Sequence, residues 1–175
     1  MTTLQVNEAV SQYLSFHMGG EVFALPIERV REVLDYTSVT RVPRMPEYMR
    51  GVFNVRGSVV PVVDLKLRLD LGSTEAGTDT CIIIIELLCD EGSAVLGLMA
   101  DSVREVLDIP PGNIEEAPKL GTKLDTRFLE GIAKADEEFI MLLDIGQIFA
   151  DSGLGAADTK VDEGLQASSP RSEAL

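Results

Sequence analysis

One six-residue sequence occurs twice in this chain. The segment Val30–Asp35 reads Val-Arg-Glu-Val-Leu-Asp, and Val103–Asp108 repeats it letter for letter at an offset of 73 residues. At the same offset, Gly19–Leu25 aligns with Gly92–Leu98. An internal repeat constrains the fold more than any single motif, because each copy must form a similar structural unit. The chain is therefore predicted to fold as two similar lobes, and the groove between lobes is a natural binding site.

The residue pattern of each copy predicts short β-strands. The apolar residues are rich in Val and Ile, which favour strands, and Gly19 with Gly20 supplies a two-residue hairpin turn. Each copy offers about five strands in roughly 55 residues, and so small a sheet hides its edges best by closing into a barrel. Asp64 and Asp144 occupy matching positions, where each is predicted to cap a short helix. The predicted fold class is mainly β, with two small barrels side by side, one for each copy.

Composition divides the chain into three parts. Residues 1–12 are predicted to be a flexible lead-in, and residues 13–150 are predicted to form a single domain of two barrel subdomains. Residues 71–79, rich in Gly, Ser and Thr, are the expected linker between the copies. Residues 151–175 turn to Gly, Ala, Ser and charge, which predicts a disordered or weakly helical tail.

The charge of the chain limits its partners and its location. The net charge of −14 repels polyanions, which argues against nucleic acid and against an anionic membrane surface. No apolar run reaches the roughly 18 residues of a membrane span, and residues 1–12 lack the pattern of a signal peptide. Cys81 and Cys89 lie on one predicted strand, too far apart to form a disulfide. The expected location is cytoplasmic, without direct insertion into a membrane.

Residues suited to catalysis or metal binding are sparse. His17 is the single histidine, and without cysteines near it in the sequence it makes a poor metal site. The sequence contains no nucleophile-elbow, phosphate-loop or dinucleotide-binding motif. It therefore predicts a binding protein that is not an enzyme and that uses no cofactor and no metal.

The two copies differ at a predicted hairpin tip. Arg56 corresponds to Asp136 at an offset of 80, and the next two residues, Gly57 and Ser58, correspond to two further acidic residues. Arg56 is compatible with a surface ion pair worth about 0–1 kcal/mol. It is equally compatible with a recognition arginine, because arginine presents a fixed fork of donors and is enriched at binding hot spots.

The segment Asn54–Leu65 carries a family resemblance. It reads Asn-Val-Arg-Gly-Ser-Val-Val-Pro-Val-Val-Asp-Leu and closely resembles the signature of the CheW family, with Val55 in place of the usual leucine. Shorter matches follow in order from about Tyr13 to Ala150. Members of this family are coupling proteins of bacterial chemosensory arrays. The resemblance implies two intertwined five-stranded barrels of the SH3-like type.

The same resemblance implies partners and site residues. The partners are the cytoplasmic tip of a chemoreceptor and the regulatory domain of the histidine kinase CheA, which an adaptor would hold together in signal transduction. The residues assigned to a receptor-binding groove are Val30, Glu32, Val33, Arg56 and Val106. Gly57 and Ser58 are assigned to the kinase interface. An ion pair between Arg56 and Glu32 is expected at the rim of the groove.

Two other functions remain open on the sequence. An adaptor of a chemosensory pathway unrelated to motility would carry the same signature. A small-barrel nucleic-acid-binding module would need a basic, aromatic face, whereas aromatic residues make up 5% of this acidic chain. The adaptor is expected to be a monomer alone and to assemble with its partners in arrays.

Overall fold

The structure of the protein is a computed structural model that describes residues 10–89, 92–117, 125–135 and 137–150. Over these ranges the chain forms eleven β-strands and two short α-helices. The strands are β1 (Ser11–Met18), β2 (Glu21–Pro26), β3 (Val30–Asp35), β4 (Met49–Val55), β5 (Ser58–Asp64), β6 (Cys81–Cys89), β7 (Gly92–Ala100), β8 (Ser102–Ile109), β9 (Ile114–Glu115), β10 (Leu129–Ala135) and β11 (Glu138–Leu143). The helices are α1 (Leu65–Arg68) and α2 (Ile145–Ile148), and turns of 3₁₀ helix cover Ile27–Arg29, Pro111–Asn113 and Thr126–Phe128.

The strands form two sheets, as the predicted fold class requires. The five-stranded sheet, called the first barrel, has the order β3-β6-β7-β5-β4. The six-stranded sheet, called the second barrel, has the order β8-β1-β2-β11-β10-β9, and its last strand is only two residues long. In each barrel a short helix follows the last hairpin. The Asp64 carboxylate accepts hydrogen bonds from the N–H groups of Lys66 and Leu67 in α1, and the Asp144 carboxylate accepts one from the Gln147 N–H in α2, so both predicted caps are confirmed.

The two copies of the repeat exchange their first hairpins. The β1–β2 hairpin of the first copy belongs to the second barrel, and the β6–β7 hairpin of the second copy belongs to the first barrel. One parallel pairing fixes each exchange, namely β2 with β11 through Val22 and Ile140, and β5 with β7 through Val62 and Gly97. The prediction of one barrel for each copy was wrong, because a repeat shows which segments are alike and not which segments pair. The intertwined arrangement implied by the family resemblance is the one observed.

Apolar side chains are buried in three clusters. One lies within the first barrel and contains Val60, Val62, Ile82, Ile84 and Met99. One lies within the second barrel and contains Tyr13, Val22, Ala24, Ile109, Ala133, Ile140 and Leu142. The largest cluster draws on both barrels, and in it the rings of Phe16 and Phe23 stack with centroids 6.2 Å apart. Because this shared cluster is buried by both sheets, each barrel depends on the other for part of its apolar burial.

The chain after β3 closes the first barrel against β4. Thr40 exchanges two backbone hydrogen bonds with Val52, each 2.8 Å long. A Cβ atom on Gly51 would lie 2.2 Å from the Thr40 carbonyl oxygen, and the φ angle of Gly51 is +147°. Glycine is the residue that permits this approach, so Gly51 fixes where the two edges of the barrel meet.

Pro61 lies on a strand with neighbours on both sides. The sequence predicts an edge or a bulge at this position, because proline has no N–H to donate. Strand β5 instead lies between β7 and β4. Pro61 is opposite Val52 of β4, and the parallel ladder with β7 begins one residue later, at Val62. The missing N–H therefore removes no hydrogen bond from that ladder.

The histidine and the described cysteine side chain occupy structural positions. His17 is half-buried on β1, opposite Val22 and Ser102. Cys81 is also only half-buried, and burial raises the pKa of its thiol, which lowers the population of the reactive thiolate. The side chain of Cys89 lies outside the described part of the chain. Among the described residues there is no cluster of potential metal ligands and no helix long and apolar enough to span a membrane.

Candidate functional site

A two-residue turn between β4 and β5 carries Arg56. The φ angles of Arg56 and Gly57 are +50° and +88°, the two positive values that a type I′ hairpin turn needs. The side-chain oxygen of Asn54 accepts a hydrogen bond of 3.0 Å from the Gly57 N–H. Glycine adopts a positive φ readily, whereas arginine rarely does, so the conformation of Arg56 is the less expected of the two. The Arg56 side chain is 72% exposed, so the turn projects it into solvent.

Arg56 and Glu32 form the ion pair expected from the family resemblance. Nη2 of Arg56 donates to Oε1 of Glu32 at 2.8 Å, and Nη1 donates to Oε2. The two parallel hydrogen bonds fix the plane of the guanidinium against the carboxylate. Hydrogen bonding by Arg56 lowers the pKa of Glu32 below its usual value, and the carboxylate in turn raises the pKa of Arg56. Both side chains are therefore charged at neutral pH.

The ion pair bridges the two edges of the first barrel. Glu32 lies on the edge strand β3, and Arg56 directly follows the other edge strand, β4. The seam of the first barrel, where the chain after β3 meets β4, is thus linked twice, once by the backbone hydrogen bonds of Thr40 and Val52 and once by the side chains of the ion pair. The Glu32 side chain is 26% exposed, much less than that of Arg56, so the guanidinium is the more accessible half of the pair.

The three valines assigned to the groove differ in burial. Val30 is half-buried and packs against the shared core, whereas Val33 is 38% exposed and Val106 is 47% exposed. Val33 and Val106 correspond in the repeat, and agreement of apolar residues between the two copies predicts core positions for both; this prediction was wrong. Both lie on edge strands, β3 and β8, which have a neighbouring strand on one side only. Val30 and Val33 share β3 with Glu32, while Val106 belongs to the second barrel.

The residues assigned to the kinase interface lie at the tip of the same hairpin. Gly57 and Ser58 are both exposed. No atom lies within 4 Å of the position that a Cβ atom on Gly57 would occupy. The adjacent Val59 is 68% exposed, which is unusual for a valine on a strand between two others. The tip therefore offers accessible backbone next to an exposed apolar side chain.

The sequence prediction missed a second ion pair of the same kind. Arg104 of β8 pairs with Glu138, the first residue of β11, at 2.8 Å. The next residue, Phe139, corresponds to Val59 in the repeat and is 65% exposed. The repeated hexapeptide and the acidic tip were the available signal for this pair. Asp136, the counterpart of Arg56 in the repeat, lies outside the described residues.

Comparison with known proteins identifies the family. A model of the CheW-like domain matches residues 12–153. The chain is 30% identical over 152 residues to the chemotaxis protein CheW of Klebsiella aerogenes, covering 86% of this chain and 89% of that protein. It is 32% identical over 139 residues to protein FrzA of Myxococcus xanthus, covering 78% and 84% of the two chains. The crystal structure of the scaffolding protein TtCheW from Thermoanaerobacter tengcongensis matches with a TM-score of 0.71 at 37% identity, covering 79% and 87%. The chain therefore belongs to the CheW family of chemotaxis coupling and scaffold proteins.

Proposed function

We propose that the protein is a non-enzymatic adaptor that holds a chemoreceptor cytoplasmic tip and the regulatory domain of the kinase CheA together. Through this adaptor, the ligand state of the receptor changes kinase activity. The observation that carries the proposal is the ion pair between Arg56 and Glu32, which fixes an exposed guanidinium at the seam of the first barrel. Preorganised arginines of this kind are frequent hot spots of protein interfaces.

The receptor tip binds the surface around this ion pair. The proposed surface takes in the charged groups of Glu32 and Arg56, the exposed Val33 that follows Glu32 on β3, and the exposed Val106 on edge strand β8 of the second barrel. Val30 supports it from the shared core. A helical segment that docks by an apolar stripe flanked by charge fits such a mixed surface.

The kinase domain binds the tip of the β4–β5 hairpin. Gly57 and Ser58 expose their backbone there, and Val59 adds an apolar contact. Each of the two contacts is small, so each alone is expected to be of micromolar affinity. A tight assembly then arises from linking many weak contacts in an array on the cytoplasmic side of the membrane.

The test uses two purified baits, a receptor cytoplasmic tip and a CheA regulatory domain. Wild type is expected to bind both. Arg56→Asp is expected to weaken receptor binding by about tenfold or more without unfolding the protein, because an exposed ion pair contributes little to stability. Arg104→Asp breaks the corresponding ion pair of the second barrel and is the matched control. Failure of folded wild type to bind either bait would refute the proposal.

A charge exchange separates recognition from structure. The double variant Glu32→Arg with Arg56→Glu can rebuild an ion pair across the same seam, but it places the carboxylate at the exposed tip. If Arg56 contacts the receptor, the double variant stays defective in receptor-dependent kinase activation. Recovery of activation to the wild-type level would show that the pair only braces the barrel.

A further inference from the structure

We propose that the connector between β3 and β4 is a second docking surface, which binds an acidic segment of a partner protein. This connector surface consists of Arg41, Val42, Arg44 and Met45, all of them exposed. The segment that fits it carries one carboxylate on each side of an apolar side chain. The proposal concerns residues outside the Arg56 site and does not depend on receptor or kinase binding.

The charge of this region is opposite to that of the whole chain. Over the full sequence there are 29 Asp and Glu against 15 Lys and Arg. Between residues 29 and 68, eight Lys and Arg stand against four Asp and Glu. The connector surface lies in the middle of this basic stretch. An acidic partner is therefore attracted to one part of a molecule that otherwise repels it.

The two arginines of the connector surface have no ionic partner in the described part of the chain. The ion pairs formed there by arginines involve Arg50, Arg56, Arg104 and Arg127. Carboxylates outnumber basic groups almost two to one in this chain, yet neither Arg41 nor Arg44 forms an ion pair with one among the described residues. Their guanidinium groups are instead left to solvent, where each can take a carboxylate of a partner in a two-pronged contact.

Arg44 occupies a backbone position that favours glycine. Its φ angle is +66°, and Pro43 precedes it in the same turn. Proline followed by a residue with positive φ is the arrangement of a type II turn, in which the second of the two is usually glycine. A non-glycine residue at such a position carries backbone strain, and strain of this kind is frequent at functional sites. Arg56, the central residue of the proposed receptor site, has the same property.

The connector surface is held in a defined conformation. Pro43 and Pro46 restrict the backbone on both sides of Arg44, and the Met49 N–H closes a second turn by donating to the Pro46 carbonyl at 2.9 Å. Val42 and Met45 are 37% and 38% exposed. A surface that is already ordered loses little conformational entropy on binding, which favours a complex formed by few contacts.

A protein segment fits this surface better than nucleic acid or a membrane. An extended polyanion that reached Arg41 and Arg44 would also meet the negative field of the rest of the chain. A short segment with two carboxylates reaches only the two arginines, so their local positive charge is enough to attract it. The apolar pair, Val42 and Met45, gives that segment a contact that a phosphate backbone would not use.

The test measures binding of a synthetic peptide to the full chain. The peptide has one glutamate on each side of a leucine in a glycine-serine background, and its control has glutamine in place of each glutamate. Amide shifts in ¹⁵N NMR spectra are expected to change at residues 41–46 with the acidic peptide. Binding at millimolar peptide concentration is expected to weaken about tenfold with the control peptide.

Arg44→Gly removes the guanidinium and relieves the backbone, so the variant folds at least as well as wild type. Its affinity for the acidic peptide is expected to fall about tenfold. The matched control is Arg31→Gln, which removes an exposed arginine on β3 that also forms no ion pair in the described structure. This control is expected to bind as wild type does.

Three outcomes would overturn the proposal. The first is the absence of shifts at residues 41–46 with the acidic peptide, and the second is equal binding by wild type and Arg44→Gly. The third is binding to phosphatidylserine vesicles that Arg44→Gly abolishes, which would assign the surface to a membrane. A protein that fails these tests but still binds receptor tip and kinase domain would overturn this proposal alone.

Discussion

Each barrel has an ion pair between an edge strand and a hairpin tip, but the positions of the two charges are exchanged between the barrels. In the first barrel the arginine, Arg56, is at the tip and the glutamate, Glu32, is on the edge strand. In the second barrel the glutamate, Glu138, is beside the tip and the arginine, Arg104, is on the edge strand. Each pair joins one copy of the repeated hexapeptide to the last hairpin of the same copy.

The exchange of charges changes which side chain of each ion pair is the more exposed. Arg56 is 72% exposed while Arg104 is 27% exposed, and the glutamates show the reverse order. The first tip thus presents a cation and the second presents an anion, although both carry an exposed apolar residue, Val59 or Phe139. Both copies of the repeat therefore have an ion pair between the edge strand and the last hairpin, whereas the charge of the more exposed side chain differs between them.

The largest difference between the copies is expected at the helix caps. Asp64 is buried and accepts hydrogen bonds from the Thr74 hydroxyl at 2.8 Å, the Thr74 N–H at 2.9 Å and Arg50 at 3.2 Å. Asp144 accepts one from the Gln147 N–H at 3.1 Å. Asp64→Ala is expected to lower the free energy of unfolding by about 3–5 kcal/mol, because it leaves buried partners unpaired. Asp144→Ala is expected to cost about 1 kcal/mol.

Urea denaturation of the two variants measures this difference. Equal losses would mean that the Asp64 network contributes no more than a helix cap, and that residues 71–79 are not held in place by it.

The next largest difference is expected at two glycines that correspond in the repeat. A Cβ atom on Gly51 would lie 2.2 Å from the Thr40 carbonyl oxygen, whereas one on Gly131 would lie 2.8 Å from the Glu115 carbonyl oxygen. Gly51 alone of the two has a positive φ. Gly51→Ala is expected to cost about 2–3 kcal/mol and Gly131→Ala about 1 kcal/mol, because the two-residue strand β9 can move away.

Thermal unfolding of both alanine variants tests this order. A Gly131→Ala variant that unfolds at a lower temperature than Gly51→Ala would reverse it and would make the second barrel the more tightly closed one.

A third difference is expected at alkaline pH. The first copy has Tyr13 where the second has Glu86. Burial, together with the charge and hydrogen bond of Glu130, raises the pKa of Tyr13 to about 12 from its usual 10.0. Between these two values the unfolded chain releases the proton more readily than the folded one, so rising pH favours unfolding. Wild type is expected to lose on the order of 2 kcal/mol over this window.

The comparison of Tyr13→Phe with Tyr48→Phe isolates this effect. Tyr13→Phe should lose less stability than wild type between pH 10 and 12, and Tyr48→Phe should follow wild type. Parallel losses in all three proteins would show that Tyr13 ionises alike in the folded and unfolded chains.

The smallest effect is expected at the turns themselves. Glu137 has a φ angle of +66° at the position that Gly57 occupies in the first copy. Glu137→Gly relieves this strain and is expected to raise the free energy of unfolding by up to about 1 kcal/mol. Gly57→Ala should lower it by a similar amount. Loss of stability in Glu137→Gly would indicate that the glutamate side chain supports the second tip.

Local structure was predictable from the sequence, and strand pairing was not. The turn glycines, the hairpins and the caps at Asp64 and Asp144 follow from short-range residue chemistry, and the structure confirms them. The exchange of hairpins depends on parallel pairings between residues far apart, such as Val62 with Gly97, which no local pattern encodes. The interior position of Pro61 follows from the same pairing.

The candidate site was also predictable from the sequence only in part. The ion pair of Arg56 with Glu32 was expected only because a family signature pointed to those positions, since residues 24 apart give no local signal of contact. The repeat did not predict that Val33 and Val106 are exposed, because agreement between the two copies does not show whether the matching residues are buried or on the surface.

The exchange of hairpins also sets the order in which the protein can fold during synthesis. When the ribosome has released the first copy, β1 and β2 exist without β8, β10 and β11, and β3 exists without β6. Neither sheet can be completed until the second copy emerges, so much of the native pairing joins distant parts of the chain and should form late. Cleavage of the chain between the two copies would leave two fragments. Each fragment would contain a hairpin that pairs with strands of the other fragment, as the exchanged elements of a domain-swapped dimer do.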